Sequence, residues 1–214
     1  MRELVFLLEE ASAKAMLESL LPRLLDPSIR VRTIVFDGKQ DLEKQLAHRL
    51  RGYLNPHARF LVLRDQDSAP DCAAVKRGLT ERCQAAGKQA VSLVRITCRE
   101  LETIYLADLL AVEAALGVQG MARRQQSAKF RQPDRLESPS AELRTLTRGR
   151  YQKVGGSRKI GRHLDLGNER SPSFKNLIGG IRRLQTELLA LPVAGRCDAL
   201  PMGSTVSSSP DGSG

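Results

Sequence analysis

Two acidic clusters in this chain each follow a short apolar run of the kind that forms a buried strand. Glu9 and Glu10 come directly after LVFLL, and Asp65 and Asp67 follow FLVL and one arginine. Because the carboxyl ends of parallel strands meet at one edge of an open α/β sheet, we expect these carboxylates to lie together. Carboxylates crowded in this way are typical of a site for a hard divalent cation such as Mg²⁺. The pattern therefore predicts metal-assisted phosphate chemistry.

The spacing of the acidic residues assigns each a candidate role. In Asp65-x-Asp67 the intervening residue points away, so both carboxylates can turn toward one ion. Glu9 can share that ion or act as a base in phosphoryl transfer, and Glu100 or Glu102, after the fourth predicted strand, can complete the site. Carboxylates are also common at helix N-termini, where they interact favourably with the helix dipole. Spacing alone leaves both interpretations open.

The elements that position these residues alternate between strand-like and helix-like segments. Apolar or β-branched runs predict strands, and apolar residues at helical spacing predict helices, with breaks at Asp26-Pro27 and Asn55-Pro56. Four βα units in succession imply an α/β fold with a mostly parallel sheet flanked by helices and right-handed crossovers. The predicted strands cover residues 3–8, 30–36, 59–63 and 90–96, and the predicted helices cover 12–25, 40–53, 71–86, 99–116 and 171–190.

Charge divides the 214 residues into three parts. Residues 1–120 carry 17 basic and 16 acidic residues and form the predicted α/β core. Residues 121–190 carry 16 basic and 6 acidic residues and form a basic extension packed on that core, with a final amphipathic helix. Its first part, to residue 161, is predicted as a long loop, short helices or partly disordered chain. Residues 191–214 are predicted to be a disordered tail, of which residues 203–214 are Ser/Gly-rich.

The localised positive charge is the electrostatic footprint expected for a nucleic-acid partner. A solubilising surface or a patch for an acidic protein would have the same composition. Lys159 is also a candidate for stabilising transition-state charge. The residues expected to contact nucleic-acid phosphates are Lys39, Arg148, Arg150, Lys153, Arg158 and Arg162.

Several classes of protein are disfavoured by what the sequence lacks. No apolar run is long enough for a transmembrane helix, and no signal peptide opens the chain, so a cytoplasmic protein without membrane contact is expected. No P-loop motif and no Ser/His/Asp or Cys/His triad is recognisable. Without C-x-x-C spacing, the cysteines are predicted to be reduced, mostly buried thiols rather than zinc ligands; they are Cys72, Cys83, Cys98 and Cys197.

A series of short strings carries a resemblance to a known family. They are LEEAS at residue 8, LLPRLL at 20, FDGKQDL at 36, VLRDQD at 62, RELETIY at 99, HLD at 163 and RSPSF at 170. In this order and spacing, over residues 1–184, the chain resembles the TOPRIM fold of topoisomerases, DnaG-type primases and OLD-family nucleases. The similarity is closest to small stand-alone bacterial TOPRIM-like proteins described as a domain of unknown function.

The resemblance implies a role for each acidic position. Glu9 matches the TOPRIM glutamate that acts as acid/base or metal ligand, and Asp65 and Asp67 match the DxD metal pair. Glu102 matches the later glutamate of OLD-type nucleases, with Glu100 as a second candidate, and the late catalytic lysine falls near Lys159. The sequence departs from the pattern at Glu10, where TOPRIM proteins have glycine, and at Ile104, where an aromatic residue is common.

The expected function is therefore that of a Mg²⁺- or Mn²⁺-dependent nuclease acting on DNA or RNA. Because similar small TOPRIM-like proteins are encoded beside AAA/ABC-type ATPases in bacterial anti-phage systems, the resemblance implies an effector controlled by a partner ATPase. The alternative is a non-catalytic module that binds nucleic acid or an ATPase and has a degenerate acidic edge. A different TOPRIM chemistry, such as nucleotidyl transfer or strand passage, is the third alternative.

Overall fold

The computed structural model describes residues 1–192 and shows an α/β fold built on a four-stranded parallel sheet. The strands lie in the order β2-β1-β3-β4, so the two strands that carry the first acidic residues are central. This confirms the predicted fold class. The strands are β1 (Glu3–Leu8), β2 (Arg30–Val35), β3 (Ala58–Asp65) and β4 (Ser92–Thr97); the helices beside them are α1 (Ala11–Leu20), α2 (Gly38–Arg51) and α3 (Cys72–Ala85).

Every residue of β1 is buried because the strand is covered on both faces. Successive side chains of a strand point to opposite faces, so Phe6 belongs to one layer of the core and Leu7 to the other. The Leu7 side packs against α2 and α3, whereas the Phe6 side packs against α1 and helices from the C-terminal half. The continuous apolar run that predicted a buried strand thus reflects a three-layer arrangement.

One predicted helix, residues 99–116, is interrupted. The structure has two helices there, α4 (Glu102–Leu106) and α5 (Leu109–Leu116). Asp108 ends the first and caps the second, because its carboxylate accepts a hydrogen bond from the Ala111 N–H group at 3.1 Å. Asp at such a position competes with the helix for backbone donors. The apolar residues of 99–116 keep helical spacing on both sides of Asp108, so the sequence pattern did not indicate this break.

The basic extension is helical and shares the core of the first half. It comprises α6 (Met121–Arg124), α7 (Ala128–Arg131), α8 (Pro139–Leu146), α9 (Lys153–Gly161) and α10 (Pro172–Leu189). The buried face of α10 and Ile160 of α9 lie in the same apolar cluster as Phe6. Of the three alternatives for the start of this segment, short helices are what the structure shows. The predicted disordered tail lies almost entirely outside the described residues.

Two further expectations concern cysteines and membranes. Cys83 is buried, but Cys72 is exposed and Cys98 is half-buried, so the expected burial holds for one of these three; Cys197 lies outside the described residues. All three are free thiols, and burial raises the pKa of Cys83 to about 11. Within residues 1–192, no helix combines the length and apolar character needed to span a bilayer.

Candidate functional site

The strand order places the acidic residues where the winding of the sheet reverses. The chain passes from β1 to β2 on one side, then crosses to β3 and β4 on the other. Glu9 follows β1 directly and Asp65 ends β3, so both leave the carboxyl ends of the two central strands. Ligand crevices of open α/β sheets lie at such switch points. Both residues therefore occupy the position expected for a ligand site.

One oxygen of each of these carboxylates is fixed by a backbone donor. The Asp65 N–H group donates to Glu9 Oε2 at 3.1 Å, and the Leu101 N–H group donates to Asp65 Oδ2 at 3.0 Å. The buried Arg64 side chain lies 3.8 Å from Glu9 Oε2 and donates to Glu43 at 2.6 Å. The other oxygens, Glu9 Oε1 and Asp65 Oδ1, accept no hydrogen bond from the described residues. They are thus oriented and available to a ligand.

Glu102 joins this edge from the first turn of α4 and is the most buried of the predicted acids, at 1% exposure. The Tyr151 hydroxyl donates to Glu102 Oε1 at 2.8 Å and also lies 3.2 Å from the Ser157 hydroxyl. Tyr151 was missed in the sequence, because a lone tyrosine in a polar segment gives no sign of its partner. The predicted Glu102 is therefore held in place by the C-terminal half of the chain.

Lys153 brings a positive charge to the same place. It forms an ion pair with Glu10, whose other oxygen accepts a hydrogen bond from the Ser12 hydroxyl. Burial lowers the pKa of Lys153, but Glu10, Glu102 and Asp65 outweigh burial and the net pKa is raised. Glu10 thus pairs with a lysine of the basic segment. Glu9, Glu10, Asp65 and Glu102 are called the carboxylate cluster below.

Asp67 lies beside the cluster in an uncommon backbone conformation. Its φ is 54°, and that of Arg99 in the adjacent loop is 60°. The Asp67 N–H group donates to the Arg99 carbonyl at 2.7 Å, so the two left-handed residues are linked. Asp67 Oδ2 also lies 3.1 Å from Lys39 Nζ. Non-glycine residues in this region cost free energy, and such residues concentrate at functional sites.

Burial and crowding raise the pKa values of three of these carboxylates. Burial raises the pKa of Asp65 well above its usual value, and the charges of Glu10, Glu9 and Glu102 raise it further. The pKa of Glu9 is raised mainly by burial, against the hydrogen bond from Asp65, and that of Glu102 is raised by burial, against Tyr151. Ionised together, these groups are destabilising unless a cation lies among them.

The donor set suits Mg²⁺, although its side chains are not gathered around one point. Carboxylate oxygens are the ligands that Mg²⁺ prefers, and Glu9 and Asp65 each keep one oxygen available. Within residues 1–192, however, no group of three or more His, Cys, Asp or Glu side chains is arranged to hold a metal ion. Glu10 and Asp67 are paired with lysines instead. Three-carboxylate binding would require side-chain rotation.

Four other predicted residues lie outside the cluster, although one of them, Glu100, lines the same cavity as Glu102. Glu100 Oε2 accepts a hydrogen bond from the Ser140 N–H group at 2.7 Å and so caps α8. Lys159 is exposed on α9, six residues beyond Lys153, and forms no ion pair with an acidic residue of the described range 1–192. Arg158 pairs with Glu18 of α1 at 3.0 Å; Arg162 is exposed at the end of α9. The structure thus brings Lys153, rather than Lys159, to the acidic edge.

A cavity of about 510 Å³ adjoins the cluster and is lined mostly by polar side chains. Glu102 and Lys153 form one part of its lining, and Arg144 of α8 forms another. Its volume lies in the range of roughly 300–1,000 Å³ that is typical of sites for small ligands. Oxygen ligands and positive charge thus meet in a space large enough for a phosphate-bearing group.

Tyr151→Phe tests whether the cluster depends on its buried donor. The change removes the hydroxyl that donates to Glu102, and a buried carboxylate without its partner costs about 1–3 kcal/mol. We expect thermal unfolding to show a loss of this size. Glu102→Ala removes the carboxylate that accepts this hydrogen bond, so the loss should be much smaller when Tyr151→Phe is made in that background. Equal losses in both backgrounds would contradict a specific interaction between the two side chains.

A known protein family matches most of the chain. The family model described as "Domain of unknown function (DUF4276)" matches residues 8–182, which include the carboxylate cluster, Lys153 and most of α10. This match confirms the expectation of a family described as a domain of unknown function. No curated protein and no solved structure matches the chain.

Proposed function

We propose that this chain, which belongs to the DUF4276 family, is a Mg²⁺-dependent nuclease of TOPRIM type that hydrolyses phosphodiester bonds. The observation that carries the proposal is the carboxylate cluster at the switch point of the sheet, where burial and mutual repulsion raise the pKa of Asp65. Holding these acids close together lowers the free energy of unfolding, and binding of a cation among them would offset that loss. The carboxylate cluster lies where a ligand crevice is expected. Cation binding therefore explains its crowding by function rather than by a need of the fold.

Each residue has a role in the proposed reaction. Glu9, Asp65 and Glu102 would hold the metal ion, with Asp67 as a further ligand if it leaves Lys39. When bound, Mg²⁺ would polarise the phosphate and lower the pKa of a water molecule. The ammonium group of Lys153 would offset negative charge on the phosphate, and Tyr151 would fix the orientation of Glu102.

Cleavage of plasmid DNA, single-stranded DNA and tRNA with Mg²⁺ or Mn²⁺ tests the proposal. The Asp65→Ala/Asp67→Ala variant should lose cleavage by at least about 10²-fold, because even residues that only support metal ligands are worth about 10–100-fold. Glu137→Gln is the matched control, since Glu137 is exposed and its side chain makes no described contact. Cleavage by the double variant at the wild-type rate would refute the site.

The proposal includes a partner ATPase of AAA or ABC type, as in the similar small TOPRIM-like proteins. Its support is the resemblance of the motifs, and such a partner with ATP is expected to raise the cleavage rate.

A non-catalytic binding module is the second candidate. The Lys153–Glu10 and Lys39–Asp67 ion pairs favour it, because each lysine already neutralises a carboxylate that a metal could use. Titration with Mg²⁺ and Mn²⁺ separates the two functions. A melting temperature that neither ion changes would favour the binding module.

A further inference from the structure

A second cavity lies between α5, α6 and the end of α8, and its charge is of one sign. The cavity measures about 340 Å³ and is lined by three arginines, Arg124, Arg148 and Arg150. None of the residues that line it is acidic, whereas the cavity beside the carboxylate cluster is lined by residues of both signs. Like charges held around one space repel each other unless an anion lies between them.

One of these arginines is fixed in place by the end of a helix. Gly117 ends α5 in the left-handed conformation, and the Arg150 Nη1 atom donates to its carbonyl at 2.9 Å. A cation at a helix C-terminus interacts favourably with the dipole, which explains why this guanidinium stays at the cavity. Arg150 is therefore anchored at the edge of the cavity by the end of α5.

No contact with a described helix end explains the positions of the other two arginines. Within residues 1–192, the guanidinium groups of Arg124 and Arg148 form no hydrogen bond and no ion pair. Arg148 also adopts a φ of 51°, a strained conformation for a residue with a long side chain. Arg148 is followed by Gly149, also left-handed at 76°, so a tight turn carries the residue to the edge of the cavity. Strain of this kind is a recognised feature of ligand-binding segments.

The rest of the lining is apolar. Val118, Met121 and Leu146 are buried and contribute to the cavity, beside the exposed Gln119. Guanidinium groups next to an apolar surface and one amide suit a ligand that joins a phosphate to a sugar or a base. Inorganic anions alone would leave the apolar part without a partner.

We propose that this cavity binds one phosphate-bearing nucleotide unit, held by Arg124 and Arg148, at a site separate from the carboxylate cluster. The unit comes either from a nucleic-acid strand or from a free nucleotide, since both present the same phosphate and sugar. The site does not depend on the proposed nuclease activity, because none of the residues that line it belongs to the carboxylate cluster.

Binding measured in EDTA tests this site without any cleavage. Fluorescence anisotropy of labelled dT12 and rU12 reports the strand, and anisotropy of a fluorescently labelled AMP, measured separately, reports the free nucleotide. Arg124→Ala should weaken binding roughly tenfold, because each charge-assisted contact to phosphate is strong. Arg123→Ala is the matched control: Arg123 is the preceding residue of α6, is exposed and does not line the cavity.

The pattern of losses identifies the source of the ligand. Loss of oligonucleotide binding in Arg124→Ala, but not in Arg123→Ala, indicates a strand, and loss confined to AMP indicates a free nucleotide. Arg148→Asn, which suits the left-handed backbone, should repeat the effect of Arg124→Ala without the risk of misfolding. Equal binding of both ligands by the Arg124→Ala and Arg123→Ala variants would overturn the proposal, whatever the fate of the nuclease assay.

Discussion

In metal-free buffer the Asp65→Asn variant is expected to unfold at a higher temperature than the wild type. The asparagine side chain still accepts the Leu101 N–H hydrogen bond but no longer repels Glu9, Glu10 and Glu102. Substitutions that relieve strain of this kind at functional sites commonly stabilise by about 0.5–2 kcal/mol. For a chain of this size that corresponds to a rise of about 1–8 °C in melting temperature.

The pH dependence of that difference identifies its cause. The folded pKa of Asp65 lies above the usual value of 3.8, so the folded protein binds this proton more tightly than the unfolded chain does. The contribution of Asp65 to the stability of the wild type therefore falls as pH rises from 3.8 to the raised folded pKa. The asparagine variant has no such loss at this position. Its advantage should be absent at the low end of this window, widen through it and be complete above the folded pKa.

Melting curves across this pH range, with and without millimolar MgCl₂, provide the measurement. Mg²⁺ should stabilise the wild type more than Asp65→Asn, since the variant has lost a ligand. The control Glu137→Gln should follow the wild type in both buffers. A variant less stable than the wild type at every pH would show that Asp65 is held by favourable contacts, and the cluster would then be structural.

Gly161→Ala is expected to have the largest effect on the fold. A Cβ atom at this position would lie 2.7 Å from the Met16 carbonyl oxygen and 3.2 Å from Met16 Cα, so it meets the backbone of α1. Backbone cannot move aside as the end of a flexible side chain can. Overpacking of this kind costs about 1–3 kcal/mol and sometimes more. Any shift of α9 away from α1 also separates Lys153 from Glu10.

A second glycine of α9 supplies the control. Gly155 has open space where a Cβ would lie, and alanine in a helix interior is favoured over glycine by about 0.5–1 kcal/mol. Gly155→Ala should therefore stabilise the protein slightly while Gly161→Ala destabilises it. Chemical denaturation of both variants gives the two free energies of unfolding. Similar effects in both would contradict the close approach of α1 and α9.

The sequence predicted the elements whose signal is local. The LVFLL run predicts a buried strand because apolar side chains on both faces need a cover on each, and β1 has both covers. The positions of Glu9 and Asp65 followed from the rule that parallel strands share one carboxyl edge. The position of Asp67 beside them followed from its spacing to Asp65, although no sequence pattern indicated its left-handed backbone.

Contacts between distant parts of the chain could not be predicted in the same way. Lys153 and Lys159 belong to one basic run, and composition gives no reason to prefer either as the lysine at the acidic edge. The packing of α9 on α1 determines which lysine lies at the acidic edge. The close contact at Gly161 that sets this packing cannot be recognised in a single sequence. Tyr151 remained hidden for the same reason, since its partner Glu102 is 49 residues away.

The ion pair between Glu10 and Lys153 has a consequence for the order in which the site forms during translation. Translation supplies Glu9 and Asp65 early, but Lys153, the Tyr151 hydroxyl and the α10 face that closes the core arrive only in the last part of the chain. While the ribosome is still making the first half, the acidic edge lacks both its counter-charge and one of its walls. A product that ends before residue 151 would thus carry the acidic residues without the tyrosine and the lysine that contact them, so the complete site forms only late in synthesis.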